Sequence, residues 1–148
     1  DLQESANSNS SPLDMLISMW DSFAKYAFEN VEIFELFFWG RYKEQLGDTI
    51  FEYYQLFPDK WKNLDGLFTS VFFNNDLKER NYLIVRRAAV TGHFSLEDAR
   101  LFSDICCDLF HGLLLEYKDS YRDPAKAKEG AETYMQMLMS LINRYRIK

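Results

Sequence analysis

Two long helical segments near the end of the chain are apolar on more sides than one surface helix needs. The first runs from Leu96 to Tyr117 and the second from Pro124 to Tyr145, with Lys118 to Arg122 as a short turn between them. A helix that is apolar nearly all round must be covered on both sides. Because a short turn makes two helices antiparallel neighbours, we expect a helical hairpin. One of its sides packs on its own chain, and the other is left for a second copy.

The hairpin therefore predicts a homodimer in which two hairpins form a four-helix interface about a two-fold axis. The predicted interface residues are Ile105, Leu109, Gly112, Leu113, Met135, Leu138, Met139 and Ile142. Gly112 would allow the two backbones to approach closely. The alternative is a thick core of one chain that covers both faces of the hairpin.

The rest of the chain is also helical in pattern. Apolar residues recur at three- and four-residue steps after Ser11-Pro12, and a broad aromatic face follows from Val31 to about Leu46. Shorter helices are predicted at about 49–57 and 60–73, and another between Asp76 and Gly92. No segment alternates apolar and polar residues over strand length. The predicted fold is all-α, with about seven helices.

One domain accounts for almost the whole chain. Residues 1–11 are polar and rich in Ser and Asn, so we interpret them as a flexible linker or expression remnant. Residues 12–148 are enough to bury a core without disulfides or a metal.

Charge and cysteine content limit the function classes. The formal net charge is −6 and the basic residues are scattered, whereas a domain that grips phosphates concentrates Lys and Arg on one face. We expect no direct binding to nucleic acid. Cys106 and Cys107 are adjacent in a helix, which is poor geometry for a mutual disulfide. They are expected to be reduced and buried, in a cytoplasmic protein. No apolar run is long enough to span a membrane.

Aromatic residues make up 17% of the chain, which suits a thick core or an aromatic-lined pocket. Both interpretations stay open for each ring. The candidate ligand-binding residues are Trp20, Phe23, Phe34, Phe37, Phe38, Tyr42, Tyr54, Phe68, Phe72, Arg86 and Phe110. With few polar residues among them, the expected ligand is apolar or flat and aromatic, and Arg86 is one candidate for orienting it.

No set of catalytic or metal-binding residues is predicted. Only His93 and His111 are available, and neither follows a Glu by three residues as di-iron sites require. Nucleotide-binding, serine-hydrolase and zinc-protease motifs are absent. We expect no enzyme activity, no cofactor and no metal.

Three segments carry a resemblance to a known family. The passage Phe23 to Phe34 resembles the junction between the first two sensor-domain helices of TetR-type (tetracycline-repressor-like) transcriptional regulators, with Val31 where Pro is common. Arg86 to Phe94 resembles the segment before the dimerisation hairpin of that family. Asp108 to Leu113 resembles the centre of its first dimer helix. In order and spacing, the similarity covers roughly Leu13 to Tyr145.

The resemblance implies a C-terminal sensing and dimerisation domain. In such proteins a small effector binds within the helical domain, and paired N-terminal helix-turn-helix heads then change spacing and leave the operator. The head is absent from this sequence, so operator DNA would be a partner only through that missing part. The alternatives are a helical carrier of a hydrophobic small molecule with no DNA partner, and an enzyme that uses the helical cavity.

Overall fold

The computed structural model describes residues 11–40, 76–119 and 122–147. In these ranges the chain forms five helices and one isolated backbone bridge. The helices are α1 (Pro12–Glu29), α2 (Val31–Phe38), α3 (Leu77–Val90), α4 (Leu96–Glu116) and α5 (Pro124–Tyr145). The all-helical expectation is confirmed for this part of the chain. The two short helices predicted at 49–57 and 60–73 lie outside the described residues.

Four of the helices begin directly after a residue whose side chain caps the first turn. Ser11 Oγ accepts a hydrogen bond from the Asp14 amide, and Ser95 Oγ accepts one from the Asp98 amide. Asp76 and Asp123 do the same for α3 and α5. Each cap satisfies an amide that the first helical turn leaves without a partner.

The second helix is shorter than the sequence predicts. It ends at Phe38 rather than near Leu46. Trp39 leaves the helical conformation, and its indole lies flat on the imidazole of His111, with ring centroids 3.8 Å apart. Gly40 follows, and glycine is a poor helix former. The stacking of Trp39 on His111 accounts for the end of the helix at Phe38.

Helices α4 and α5 form the antiparallel hairpin. Phe94, just before α4, makes a backbone bridge with Arg146, just after α5. The Ile147 amide also donates to the His93 carbonyl at 2.9 Å. In the middle of the hairpin, the hydroxyl of buried Tyr134 donates to the Cys106 carbonyl.

The remaining helices cover one side of this hairpin. Helix α1 packs along α5, and α3 packs along α4. The α3–α4 contact carries two exposed ion pairs at its rim, Lys78–Asp108 and Arg100–Glu79. Exposed pairs of this kind contribute little to stability, so the buried apolar residues between the helices hold the layers together.

Gly130 is required by the close approach of α5 to α1. A Cβ at this position would lie 2.7 Å from Cε1 of buried Phe28 and 3.2 Å from Cγ of Tyr117. We expect Gly130→Ala to lower the free energy of unfolding by about 1–3 kcal/mol, because overpacking outweighs the better helix propensity of alanine.

Gly112 supplies the matched control, since a Cβ there would meet nothing within 4 Å. In the monomer, Gly112→Ala should leave the fold equally stable or stabilise it by up to about 1 kcal/mol, so the variants are compared at protein concentrations too low for association. Urea denaturation followed by circular dichroism measures both variants. Equal stabilities for the two would contradict the packing argument.

Candidate functional site

Five of the predicted ligand-binding aromatics meet in one place. We call Trp20, Phe23, Phe34, Phe38 and Phe110 the aromatic cluster. The Phe23 ring centroid lies 5.1–5.7 Å from those of the other four. Phe110 is completely buried, whereas Phe23 and Phe34 are partly exposed. The cluster joins α1, α2 and α4, and Phe23 packs edge-to-face on Trp20, Phe34 and Phe38, a favourable arrangement for aromatic pairs.

A buried amide fixes the orientation of Trp20. Trp20 Nε1 donates to Asn81 Oδ1 at 2.8 Å, and Asn81 Nδ2 donates to Ser103 Oγ at 2.9 Å and to the Ser103 carbonyl at 3.2 Å. Asn81 thereby ties α1, α3 and α4 together through groups that are all enclosed by protein. The sequence interpretation did not include Asn81. Its signal is a polar residue at helical spacing between apolar Leu77 and Ile84.

A small cavity opens beside the cluster, between α1 and α3. Its volume is about 50 Å³. It is lined by Met19, Trp20, Phe23, Leu77, Arg80, Asn81 and Ile84. The lining is mostly apolar. A cavity of this size admits a few water molecules or a small polar group, and it is smaller than the roughly 300–1,000 Å³ of a drug-sized site.

Arg80 brings a positive charge to this cavity. Its Nη1 atom is fully enclosed and has no hydrogen-bond partner among the residues that the structure describes. The guanidinium carbon lies 5.4 Å from the centre of the Phe38 ring. Burial lowers the pKa of the Arg80 guanidinium to about 10, so the group stays protonated at neutral pH.

Arg86, which the sequence also predicts to bind ligand, does not line this cavity. It is exposed. The cavity is lined by Leu77, Arg80, Asn81 and Ile84, which are one face of α3. Arg86 comes two residues after Ile84, about 200° further round the helix. The arginine that lines the cavity is Arg80, one turn before Ile84.

Other predicted ligand-binding residues have no described position. Tyr42, Tyr54, Phe68 and Phe72 lie outside the described residues, as does the side chain of Phe37. Of the described candidates, Trp20 and Phe23 line the cavity, while Phe34, Phe38 and Phe110 support those two rings from within the cluster.

A second apolar surface lies on the outer side of the hairpin. We call this surface the α4–α5 groove; its volume is about 470 Å³. Its lining residues are Ile105, Leu109, Gln136, Met137, Ser140, Leu141 and Arg144. Leu101 continues the row of Ile105 and Leu109 by one turn, and 56% of its surface is exposed. Gly112 is exposed at the other end of that row.

Several of the predicted interface residues lie away from the α4–α5 groove. Leu113, Leu138 and Ile142 are buried in the core of their own chain, so their side chains do not reach the outer surface. Met135 lines a different groove, with Asp21 and Lys25 of α1 among its other residues.

Met139 stands one turn after Met135 and shares its side of α5. The α4–α5 groove instead uses Met137 and Leu141, on another side of the helix. The positions of these residues have one cause: the sequence shows that α5 is apolar on several sides but does not show which side α1 covers.

His111 is held by residues of its own chain. Its Nε2 lies 3.0 Å from Oε2 of Glu35 and 3.1 Å from Oε1, and its ring stacks on Trp39. The pair joins α2 to α4 at the end of the aromatic cluster. The hydrogen-bond partner of His111 is therefore Glu35 of the same chain.

Both cysteines are free and buried. Burial raises the pKa of the Cys107 thiol to about 12 and that of Cys106 still further. Since the thiolate is the reactive form, neither is suited to act as a nucleophile near neutral pH. In the three described ranges, no group of three metal-ligating side chains is placed to share a metal ion. None of the described helices is long and apolar enough to cross a membrane.

Comparison of the chain with protein-family models, with curated proteins and with solved structures gave no match.

Proposed function

We propose that this chain is the ligand-sensing and dimerisation domain of a TetR-type transcriptional regulator. Its effector would be a small apolar or aromatic molecule. It would contact operator DNA only through a helix-turn-helix that this sequence does not contain. The observation that carries the proposal is the division of α4 between two apolar surfaces, one for each task.

The inner side of α4 supports ligand binding. Phe110 contacts Trp20 and Phe23, the two rings that also line the cavity. A ligand bound against these two rings would therefore contact side chains that pack directly on α4. Apolar surface removed from water contributes about 25 cal/mol per Å², so burial of even a small ring system supplies useful affinity.

The outer side of the same helix supports self-association. Ile105 and Leu109 line the α4–α5 groove together with Met137 and Leu141 of α5. A second hairpin would bring the same residues to the groove, as a two-fold interface requires. A shift of α4 caused by the ligand would therefore change the dimer contact directly. Through that contact it would change the spacing of attached DNA-binding heads.

A thermal-shift screen tests the sensing half of the proposal. A ligand that binds only the folded state raises the melting temperature as its occupancy increases. We expect hydrophobic drugs, dyes or fatty acids to raise the melting temperature by several degrees, and polar metabolites of equal size to leave it unchanged. The proposal is wrong if no apolar compound stabilises the chain.

The same ligands separate a regulator from a carrier. For a regulator, we expect the best ligand to change the dimer dissociation constant, because binding and association share α4 and are thermodynamically linked. Sedimentation equilibrium with and without ligand measures this. Tight ligand binding with an unchanged monomer–dimer equilibrium would favour the hydrophobe carrier with no DNA partner.

A further inference from the structure

The Arg80 guanidinium is enclosed at Nη1, and no counter-ion is paired with it in the described part of the chain. Burial is the one cause of its lowered pKa, and no carboxylate contributes. The nearby acidic residue of its own helix, Glu79, is paired with Arg100 at 2.8 Å. An enclosed cation is costly unless an anion or strong acceptors satisfy it. The cavity therefore contains a positive charge that a purely apolar ligand would leave unpaired.

Among the described polar residues that line the cavity, Arg80 is the one with an unpaired hydrogen-bond donor. Asn81, the other polar lining residue with a side-chain amide, has its oxygen engaged by Trp20 and its nitrogen by Ser103. Nη1 of Arg80 is enclosed and unpaired. The other described residues of the lining are apolar or, in Trp20, already bonded. A polar group entering the cavity would thus be recognised through one cation.

We propose that the effector is an apolar monocarboxylic acid, whose carboxylate enters the cavity and accepts hydrogen bonds from Arg80 while its apolar body lies against Met19 and Phe23. This inference rests on the proposed sensing function and adds the chemical class of the effector. The cavity of about 50 Å³ suits a headgroup of this size. Met19 and Phe23 are partly exposed, so they can extend the apolar contact outward. Guanidinium and carboxylate match in geometry and form strong charge-assisted hydrogen bonds.

Matched acids and esters test the charge requirement on the full chain. The probes are benzoate, 2-naphthoate and decanoate, each compared with its methyl ester by isothermal titration calorimetry at neutral pH. For at least one pair, the acid should bind at least tenfold more tightly than the ester. Replacing the carboxylate by an ester removes the negative charge and keeps the apolar body, so the ratio isolates the contribution of Arg80.

Two substitutions on one helix complete the test. Arg80→Met should abolish the preference for the acid and leave the affinity for the ester within about threefold. Arg86→Met, which removes an exposed arginine from the same helix, should leave both affinities unchanged. Arg80→Gln is the second variant if Arg80→Met folds poorly. Without ligand, we expect Arg80→Met to melt at the same or a higher temperature, since an unpaired buried charge is removed.

Each result has a distinct meaning. Esters that bind as tightly as their acids overturn the carboxylate inference and leave the sensing function in place. An acid preference that survives in Arg80→Met and Arg80→Gln also overturns it, because another group would then supply the charge. If no acid, no ester and no compound of the thermal-shift screen binds, the sensing function itself fails.

Discussion

The Leu101→Glu/Met137→Glu double variant is expected to be a folded monomer at concentrations where the unmodified chain is a dimer. Leu101 lies on the outer row of α4 and Met137 on the facing side of α5. Their exposed fractions are 56% and 43%, so neither side chain is needed to complete the core of its own chain. The substitutions should therefore act on association and not on folding.

The expected effect on the dimer is large because each charge would be buried without a partner. Two-fold symmetry places both substitutions twice in the interface, with four carboxylates in one apolar surface. Burying unpaired charge costs more than losing apolar contact alone. We expect the dissociation constant to rise at least about 100-fold, which corresponds to roughly 3 kcal/mol.

Size-exclusion chromatography with light scattering measures the mass, and circular dichroism checks that the helices are retained. Tyr26→Glu is the matched control. Tyr26 is 66% exposed on α1, which contributes no residue to the α4–α5 groove. This variant should remain a dimer. A monomeric unmodified chain would refute the dimer, and a double variant that still dimerises would place the interface elsewhere.

The helices and their first residues can be predicted from the sequence because they depend on local chemistry. A capping side chain three residues before a free amide, or a proline in the first turn, acts within one turn of helix. The structure has helices beginning at Pro12, Leu77, Leu96 and Pro124, each directly after a Ser or Asp, residue types that favour the cap position. Trp39 shows the limit, because its departure from the helix depends on a histidine 72 residues further along the chain.

The candidate site was only partly accessible because its polar residues depend on helix rotation. The sequence identifies an aromatic excess, and the structure gathers five of those rings. The sequence does not reveal that Arg80 faces the cavity and Arg86 faces outward, since both are arginines within one short helix. The same holds for α5, where Leu138 and Met137 are neighbours in sequence but face the core and the groove.

Asn81→Ala is expected to be among the most destabilising single substitutions in the described part of the chain. It removes the acceptor of the Trp20 indole and the donor that reaches Ser103. Both remaining groups would be buried without partners, and each such group costs about 1–3 kcal/mol. We expect the free energy of unfolding to fall by about 3 kcal/mol.

Chemical denaturation of Asn81→Ala and Asn143→Ala measures this effect against a matched control. Asn143 is an exposed asparagine in a helix, so its replacement should change stability by less than about 0.5 kcal/mol. Similar stabilities for the two variants would show that water replaces the lost partners at no cost. A folded Asn81→Ala should also bind ligands more weakly, because Trp20 would lose the bond that fixes its ring at the cavity wall. Loss of stability with unchanged ligand affinity would separate the structural role of Asn81 from any role in positioning the site.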